Sequence, residues 1–161
     1  MINIRNPKES EFEKIYNFVS RCKPLESYGD HFYRIMLRYF NNTCLIAEEE
    51  NNILGFILGV ISQTDPKSYF LWQIGVNPEV QGQGIGRKML EHIEIELKRK
   101  NINRIELTID PENKASQKLF EKNGYSIISK PQEETFVVQD RTALRDYYGK
   151  DRHFFMYEKI I

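Results

Sequence analysis

Apolar residues are most concentrated in the middle of the chain, where their spacing is typical of β-strands. Residues 43–48 and 53–61 are two apolar runs separated by the polar turn at 50–52, and this arrangement predicts an antiparallel hairpin. Residues 68–76, SYFLWQIGV, form a nearly continuous apolar run of β-prone side chains. Such a run is typical of a strand buried on both faces. We therefore expect three strands in this part of the chain.

After this strand, the apolar spacing changes to the period of an α-helix. Four apolar residues recur at every fourth position: Ile85, Met89, Ile93 and Leu97. Basic residues occupy positions 98–100, where the dipole of a helix ending there favours cations. Asn113 is a typical N-cap, and we expect a short helix from there to residue 123, ended by Gly124 in the left-handed conformation.

The N-terminal part of the chain predicts one strand and two helices. Residues 1–5 alternate as a short strand. The following helix has two candidate N-caps: Asn6 with a proline at the next position, or Ser10 with a glutamate three residues later. Its expected apolar face comprises Phe12, Ile15, Tyr16 and Val19, and Pro24 is expected to end it. The aromatic and basic residues 30–40 predict the second helix.

The C-terminal part predicts further strands around a polar segment. The expected strands are residues 104–109, 125–129 and 153–160, whereas residues 131–149 carry no clear prediction. The sequence contains no repeat, linker or low-complexity tract. We therefore predict one α+β domain with a mixed sheet over residues 1–161.

Charge and composition exclude some classes of partner. Lys plus Arg and Asp plus Glu both number 23, so no net charge favours nucleic acid or an anionic membrane. The N-terminus lacks the apolar core of a signal peptide, and no apolar run reaches the roughly 18 residues of a membrane helix. We expect a cytoplasmic protein that acts on a small molecule. Cys22 and Cys44 lack ligand spacing and are expected to be free, buried thiols.

Three glycines fall within five residues, at the junction between the apolar strand and the long helix. Gly82, Gly84 and Gly86 allow a bulky anion to approach the unpaired N–H groups of a helix N-terminus. The segment does not match the dinucleotide-binding fingerprint, because Arg87 stands where a third glycine is needed. It does not match the P-loop motif either, because the required Gly-Lys-Ser/Thr sequence is absent. The pattern Gln/Arg-x-x-Gly-x-Gly/Ala fits at residues 81–86.

Two segments that carry these features resemble the GNAT superfamily of acetyl-coenzyme A-dependent N-acetyltransferases. They are IGVNPEVQGQGIGRKML and, later in the chain, ELTIDPENKASQKLFEKNGYSI. The resemblance implies a central, mostly antiparallel sheet with a splayed parallel pair and flanking helices. It also implies acetyl-CoA as cosubstrate, direct acetyl transfer to an amine and no metal. A glycine-rich helix cap without any ligand is the alternative interpretation.

The resemblance assigns the coenzyme site residue by residue. The main chain of Ile74 and Val76 would pair with the pantetheine arm, and the Val76 N–H would also reach the thioester carbonyl. Asn113 and Phe120 would complete the coenzyme wall. The N–H groups expected to hold the pyrophosphate belong to Gln81, Gly82, Gln83, Gly84, Ile85, Gly86 and Arg87.

The resemblance leaves the acid and the base open. Many relatives carry a proton-donating tyrosine where this sequence has Phe120. Tyr125 and Tyr157 are replacement candidates, and the thiolate can also leave unaided or through water. His31 is the candidate base because histidine titrates near neutral pH, although a solvated helix residue would explain it as well.

A narrower resemblance concerns the acceptor. Residues 24–26, Tyr33 and residues 71–73 are similar to positions of the diaminobutyrate acetyltransferases of ectoine synthesis. Their Asp corresponds to Glu26, and their first helix tyrosine to His31. Their C-terminal His-x-x-Glu corresponds to residues 151–154, where Phe154 stands in place of the glutamate. We expect a small-molecule amine, such as a diamino acid, to contact Glu26, Tyr33 and Trp72. Protein or peptide N-acetylation and a non-catalytic acyl-CoA sensor are the alternatives. We expect a monomer or homodimer that binds neither nucleic acid nor membrane.

Overall fold

The computed structural model describes residues 1–128 and 131–161, and the chain divides into two compact units, Met1–Asn103 and Arg104–Ile161. The first unit contains β1 (Asn3–Arg5), α1 (Phe12–Val19), α2 (Asp30–Tyr39), β2 (Leu45–Glu49), β3 (Asn52–Ile61), β4 (Ser68–Val76) and α3 (Ile85–Arg99). The second contains β5 (Arg104–Ile109), α4 (Lys114–Lys122), β6 (Ser126–Ile127), β7 (Thr135–Val138), β8 (Arg141–Leu144) and β9 (Phe155–Ile160). The prediction of a single domain stays a prediction.

The first four strands form an antiparallel array in chain order, β1 to β4. Glu50 and Asn51, which join β2 to β3, have φ values of 50° and 65°, as a two-residue hairpin turn requires. The predicted hairpin is therefore confirmed. Strand β4 begins and ends at the residues that its apolar run predicts.

The predicted caps of α1 are wrong. A 3-10 turn over Glu9–Glu11 precedes the helix, and the main-chain N–H of Lys8 donates to the Glu11 carboxylate over 2.7 Å. Asn6 does not cap the helix, because its side-chain amide donates to the carbonyl oxygen of Cys44 over 2.8 Å. The helix also ends at Val19, before the predicted end at Pro24.

Helices α1 and α2 cover one face of this sheet and enclose a core. Tyr16, predicted to be buried, is 36% exposed, and Phe18 is buried in its place. The core comprises Ile15, Phe18, Val19, Cys22, Tyr33, Met36, Leu37, Cys44, Ile46, Ile53, Phe56 and Leu58. Both cysteines are free and buried, as predicted, and burial raises the pKa of the Cys22 thiol to about 11 and that of Cys44 to about 12.

Helix α3 confirms the strongest periodic prediction, because all four residues of its apolar repeat are buried. It begins directly after Gly84 and carries Lys98 and Arg99 in its last turn. Among the described helices, none combines the length and the apolar character needed to cross a bilayer.

In the second unit, β9 lies between β5 and β6 and is antiparallel to both. Asn113 caps α4 by accepting a hydrogen bond from the Ser116 N–H over 3.1 Å, and Gly124 follows the helix with a φ of 86°; both predictions are confirmed. The predicted strand at 125–129 is reduced to β6, and Ser129 lies outside the described residues.

The segment at 131–149, which carried no prediction, contains the hairpin of β7 and β8. Its two-residue turn is formed by Gln139 and Asp140, with φ values of 51° and 61°. Arg141 joins the hairpin to α4, donating to the Gln117 side chain over 3.3 Å and to the Glu121 carboxylate. The hairpin is thus attached to the helix that carries Phe120.

Candidate active site

The C-terminal end of β4 presents main-chain groups away from its neighbour β3. The N–H of Asn77 donates to the Leu54 carbonyl over 2.8 Å, and Gly75 lies opposite Phe56. In an antiparallel ladder, alternate residues direct their N–H and C=O groups toward the same neighbour. The main-chain groups of Ile74 and Val76 therefore point away from β3, as the predicted pairing with a pantetheine arm requires.

The glycine turn follows this strand end and is held open by left-handed backbone. Gly82 and Gly84 have φ values of 81° and 79°. Within residues 1–128 and 131–161, and apart from the adjacent residues, no heavy atom lies within 4 Å of the position that a Cβ would occupy on either. Glycine is thus required at these two positions by backbone conformation. The space above the turn is open to a ligand.

The first N–H groups of α3 have no acceptor within the helix. The first bond of the helix runs from the Lys88 N–H to the Gly84 carbonyl over 3.0 Å, so the N–H groups of Ile85, Gly86 and Arg87 precede it. Together with the helix dipole, these groups favour an anion at the turn. The Arg87 guanidinium pairs with Glu91 over 2.7 Å on the helix surface.

Side chains fasten the turn to the strand end. The Gln81 amide donates to the Val76 carbonyl over 3.4 Å, and the Cys22 thiol lies 3.9 Å from the same oxygen. The carbonyl of Val76 is thereby held from two sides.

The residues predicted for the acceptor meet in the same unit through Tyr28, which the sequence did not single out. Trp72 is 41% exposed, and its Nε1 donates to the Tyr28 hydroxyl over 3.2 Å. That hydroxyl lies 3.5 Å from the Glu26 carboxylate, to which it donates. The Phe32 ring packs at a centroid distance of 5.1 Å from Trp72 and 4.5 Å from Tyr28. The Glu26 carboxylate thus contacts Tyr28, which in turn contacts Phe32 and Trp72.

Tyr33, the third predicted acceptor residue, lies in the core with no exposed surface. Its hydroxyl accepts from the Tyr28 N–H over 3.3 Å and donates to the Gln73 side chain over 3.4 Å. The Gln73 amide in turn donates to the Glu26 main-chain carbonyl over 2.6 Å. Burial raises the pKa of Tyr33 and keeps its hydroxyl protonated.

His31, the candidate base, occupies the first turn of α2. Its side chain is 80% exposed, and Nδ1 lies 3.9 Å from the neighbouring Asp30 carboxylate. This is the environment of a solvated helix residue, the alternative that the sequence left open. The prediction that His31 acts as the base stays a prediction.

The predicted residues of the second unit are mostly buried. Phe120 and Tyr125 are 1% and 3% exposed, with ring centroids 5.1 Å apart. The Tyr157 hydroxyl donates to Glu121 over 2.8 Å and accepts from Arg141 over 2.9 Å. Burial and the Glu121 carboxylate raise the pKa of Tyr157, so this hydroxyl holds its proton strongly.

A group of possible metal ligands lies in the loop before β9. Asp146, Asp151 and His153 each offer a ligand atom within 4.8 Å of the others. Hydrogen bonds within the loop account for the arrangement, because Asp146 accepts from the Asp151 N–H over 2.8 Å and His153 Nδ1 accepts from the Asp146 N–H over 3.0 Å. Both aspartates are exposed.

Comparisons of sequence identify related proteins. The pattern of the Acetyltransferase (GNAT) family matches residues 12–125. The L-2,4-diaminobutyric acid acetyltransferase of Chromohalobacter salexigens is 33% identical over 120 residues, which are 74% of this chain and 62% of the relative. That of Wolinella succinogenes is 34% identical over 122 residues, 74% of this chain and 70% of the relative. The chain thus spans about three fifths of the length of the Chromohalobacter relative.

Solved structures show the same fold. The diaminobutyrate acetyltransferase EctA of Paenibacillus lautus, in complex with L-2,4-diaminobutyric acid and coenzyme A, has a TM-score of 0.77 at 25% identity and covers 98% of this chain and 94% of its own. Ard1 of Thermoplasma volcanium has a TM-score of 0.81 at 16% identity, covering 99% of this chain and 97% of its own. The fold is a mixed, mostly antiparallel sheet with one parallel pair and flanking helices. The chain belongs to the acetyltransferase (GNAT) family.

Proposed function

We propose that the protein is an acetyl-CoA-dependent N-acetyltransferase that transfers acetyl directly to a primary amine of a small molecule, with a diamino acid such as diaminobutyrate as the acceptor. One observation carries the donor half of this proposal. The main chain of Ile74 and Val76 is turned away from β3, and the strand leads into a left-handed turn. The turn ends at the first N–H groups of α3, which have no acceptor within the helix. Membership of the family and the similarity to the Chromohalobacter and Paenibacillus enzymes support it.

The donor is bound by main-chain groups. The N–H groups of residues 81–87 would hold the pyrophosphate, and β4 would offer Ile74 and Val76 to the pantetheine amides as an additional strand. The Val76 N–H would donate to the thioester oxygen as negative charge develops there. A fixed donor of this kind contributes on the order of 3 kcal/mol to acyl transfer. Asn113 and Phe120 remain proposed for the coenzyme wall.

The acceptor is recognised by Glu26 and the rings beside it. An ammonium group approaching Trp72 would meet the Glu26 carboxylate and the π-faces of Trp72 and Tyr28, and both attract cations. Loss of one proton then gives the neutral amine that attacks the thioester. The Chromohalobacter and Wolinella relatives are named L-2,4-diaminobutyric acid acetyltransferases, and this favours a diamino acid as the acceptor here.

Proton transfer has candidates in both units. His31 would take the amine proton, and His31→Asn would then lower kcat by about 100-fold. An unchanged kcat would leave His31 as a solvated residue. Phe120 has no proton to give, and the raised pKa of Tyr157 makes that hydroxyl a poor donor. Tyr125 remains the candidate acid, and departure of the thiolate through water is its alternative.

Location, oligomeric state, metal requirement and macromolecular partners also remain proposals. A cytoplasmic location, a monomer or homodimer, and the absence of a metal requirement and of nucleic-acid or membrane partners are inferences from the sequence. Acetylation of a protein N-terminus, or binding of acyl-CoA without turnover, are the competing functions.

One experiment separates these functions. Release of coenzyme A from acetyl-CoA is measured with diaminobutyrate, other diamino acids, polyamines and short peptides, beside a calorimetric titration with acetyl-CoA alone. We expect binding of acetyl-CoA and turnover on a small diamino acid. Turnover on peptides alone would show that the acceptor is a peptide and not a small amine. Binding of acetyl-CoA without turnover would favour a non-catalytic acyl-CoA sensor. A chain that fails to bind acetyl-CoA would contradict the proposed role of the glycine turn.

A further inference from the structure

We propose that Gln73 and Tyr33 are positioning residues for the amine acceptor: together they fix the main chain of residues 26–28, and hence the Glu26 carboxylate, against β4. This inference rests on the proposed function and adds a role for two buried polar side chains that do not themselves contact the acceptor. We call the pair the acceptor clamp.

The first part of the clamp is a buried amide in an otherwise apolar strand. Gln73 is 4% exposed and lies within β4 between Trp72 and Ile74. A buried amide destabilises a fold unless its polar atoms are hydrogen-bonded. Both ends of Gln73 are bonded: Nε2 donates to the Glu26 carbonyl over 2.6 Å, and Oε1 accepts from the Tyr33 hydroxyl over 3.4 Å.

The second part of the clamp is the Tyr33 hydroxyl. It accepts from the Tyr28 N–H over 3.3 Å, so the carbonyl of residue 26 and the N–H of residue 28 are both held. These two points flank Ser27. With the main chain fixed on both sides, Glu26 and Tyr28 have little freedom to leave Trp72.

The clamp works on the acceptor side alone. Trp72 and Gln73 are adjacent in β4, and each holds residues 26–28, one through the Tyr28 hydroxyl and the other through main chain. The donor side uses the main chain of Ile74 and Val76, which a change of the Gln73 side chain leaves in place. Loss of the clamp is therefore expected to weaken amine binding and to spare acetyl-CoA binding.

Two substitutions test the clamp with different severity. Gln73→Met keeps the side-chain length and removes the amide, whereas Tyr33→Phe removes only a hydroxyl. For each, we expect KM for the amine to rise about tenfold, the effect of one lost buried hydrogen bond, with kcat within about threefold and the Kd of acetyl-CoA within about twofold. Gln117→Met is the matched control, because Gln117 is 5% exposed and donates to the Pro111 carbonyl over 2.9 Å in the second unit. It should lower stability without raising KM.

A spectroscopic measurement tests the clamp without turnover. Trp72 is the one tryptophan of the sequence, so its fluorescence reports on residues 26–28 directly. In both clamp variants, acrylamide should quench Trp72 more strongly, by about twofold, because Tyr28 no longer covers the indole. In Gln117→Met, acrylamide should quench Trp72 as strongly as in the unsubstituted protein.

The two readouts keep this inference separate from the proposed function. If no amine is turned over, increased quenching in folded Gln73→Met and Tyr33→Phe still supports the clamp. Unchanged quenching and unchanged KM in the folded variants would overturn it. An equal loss of acetyl-CoA affinity in both variants would also overturn it, because a clamp confined to the acceptor side does not predict that loss.

Discussion

Tyr28 is the residue that connects the side chains of the proposed acceptor site. Its hydroxyl accepts from Trp72 and donates to Glu26, and its ring packs on Phe32. Tyr28→Phe would keep the ring contact and remove both hydrogen bonds. Because the Glu26 carboxylate is then less constrained, we expect KM for the amine to rise by about three- to tenfold, with little change in stability.

Steady-state kinetics with saturating acetyl-CoA checks this prediction. Tyr39→Phe is the matched control, since Tyr39 is 67% exposed on α2. If Tyr28→Phe left KM unchanged for every small amine, the proposed role of Tyr28 in holding Glu26 for the acceptor would be wrong.

At the scale of elements, the N-terminus of α3 depends on backbone conformation. Gly84→Ala would place a Cβ on a residue with a φ of 79°, which costs roughly 1–2 kcal/mol of stability or shifts the turn. Because the N–H groups that follow are displaced with it, we expect the Kd of acetyl-CoA to increase at least about tenfold, measured by calorimetry.

Gly124→Ala provides the control of equal strain. Gly124 has a φ of 86° after α4, and the three described atoms nearest to its added Cβ belong to the Lys159 side chain, at ordinary distances from 3.5 Å. The two substitutions should therefore lower the free energy of unfolding similarly. If both weakened acetyl-CoA binding equally, the effect would be general and the role of the turn would not be supported.

The elements that could be predicted from sequence are those with a local cause. The repeat in α3, the apolar run of β4 and the caps of α4 each lie in a continuous segment, and the structure confirms them. The α1 caps failed because Asn6 bonds to Cys44, a partner 38 residues away. The β7–β8 hairpin was missed because its Gln139-Asp140 turn has positive φ values without glycine.

The candidate site also has one part that could be predicted from local sequence and one part that could not. The donor side follows from a short motif, since a left-handed turn and a helix N-terminus are properties of neighbouring residues. The acceptor side depends on bonds across the chain: Tyr28 and Trp72 are 44 residues apart, and Glu26 and Gln73 are 47 apart. Apolar and polar patterns do not specify such pairs, so Tyr28 was not identified from the sequence, and Gln73 was matched by the resemblance without a role.

At the scale of the whole molecule, an ion network fastens the N-terminal strand. Arg5 donates to Glu11 over 2.7 Å and to Glu48 over 2.8 Å, which links β1, the following 3-10 turn and β2. The hydrogen bond from Arg5 lowers the pKa of Glu11 from an ordinary 4.5 to about 2, although burial opposes it, and that of Glu48 is lowered for the same reason.

This network predicts a loss of stability in acid. A carboxyl whose folded pKa is depressed stabilises the fold fully above its unfolded pKa and loses that contribution as pH falls through the folded value. For Glu11 the loss should begin near pH 4.5 and continue to about pH 2, amounting to roughly 3 kcal/mol. Glu11→Gln should therefore be less stable at pH 7 and show a flatter decline between pH 5 and about 2.5.

Urea unfolding at several pH values measures this decline. Glu133→Gln, at an exposed carboxylate of the second unit, should follow the unsubstituted protein throughout. If Glu11→Gln kept the full acid dependence, the acid sensitivity would have to arise elsewhere.

The open left-handed turn has a consequence for how the protein evolves. Under the proposed function, the coenzyme is recognised by amide groups that every residue except proline possesses, whereas the amine is recognised by individual side chains. Different constraints therefore act on the two parts of the site during evolution. The coenzyme part requires residues that permit its backbone dihedral angles, whereas the amine part requires particular side chains. A descendant that exchanges Glu26, Tyr28 or Trp72 acquires a new acceptor while its donor remains the same.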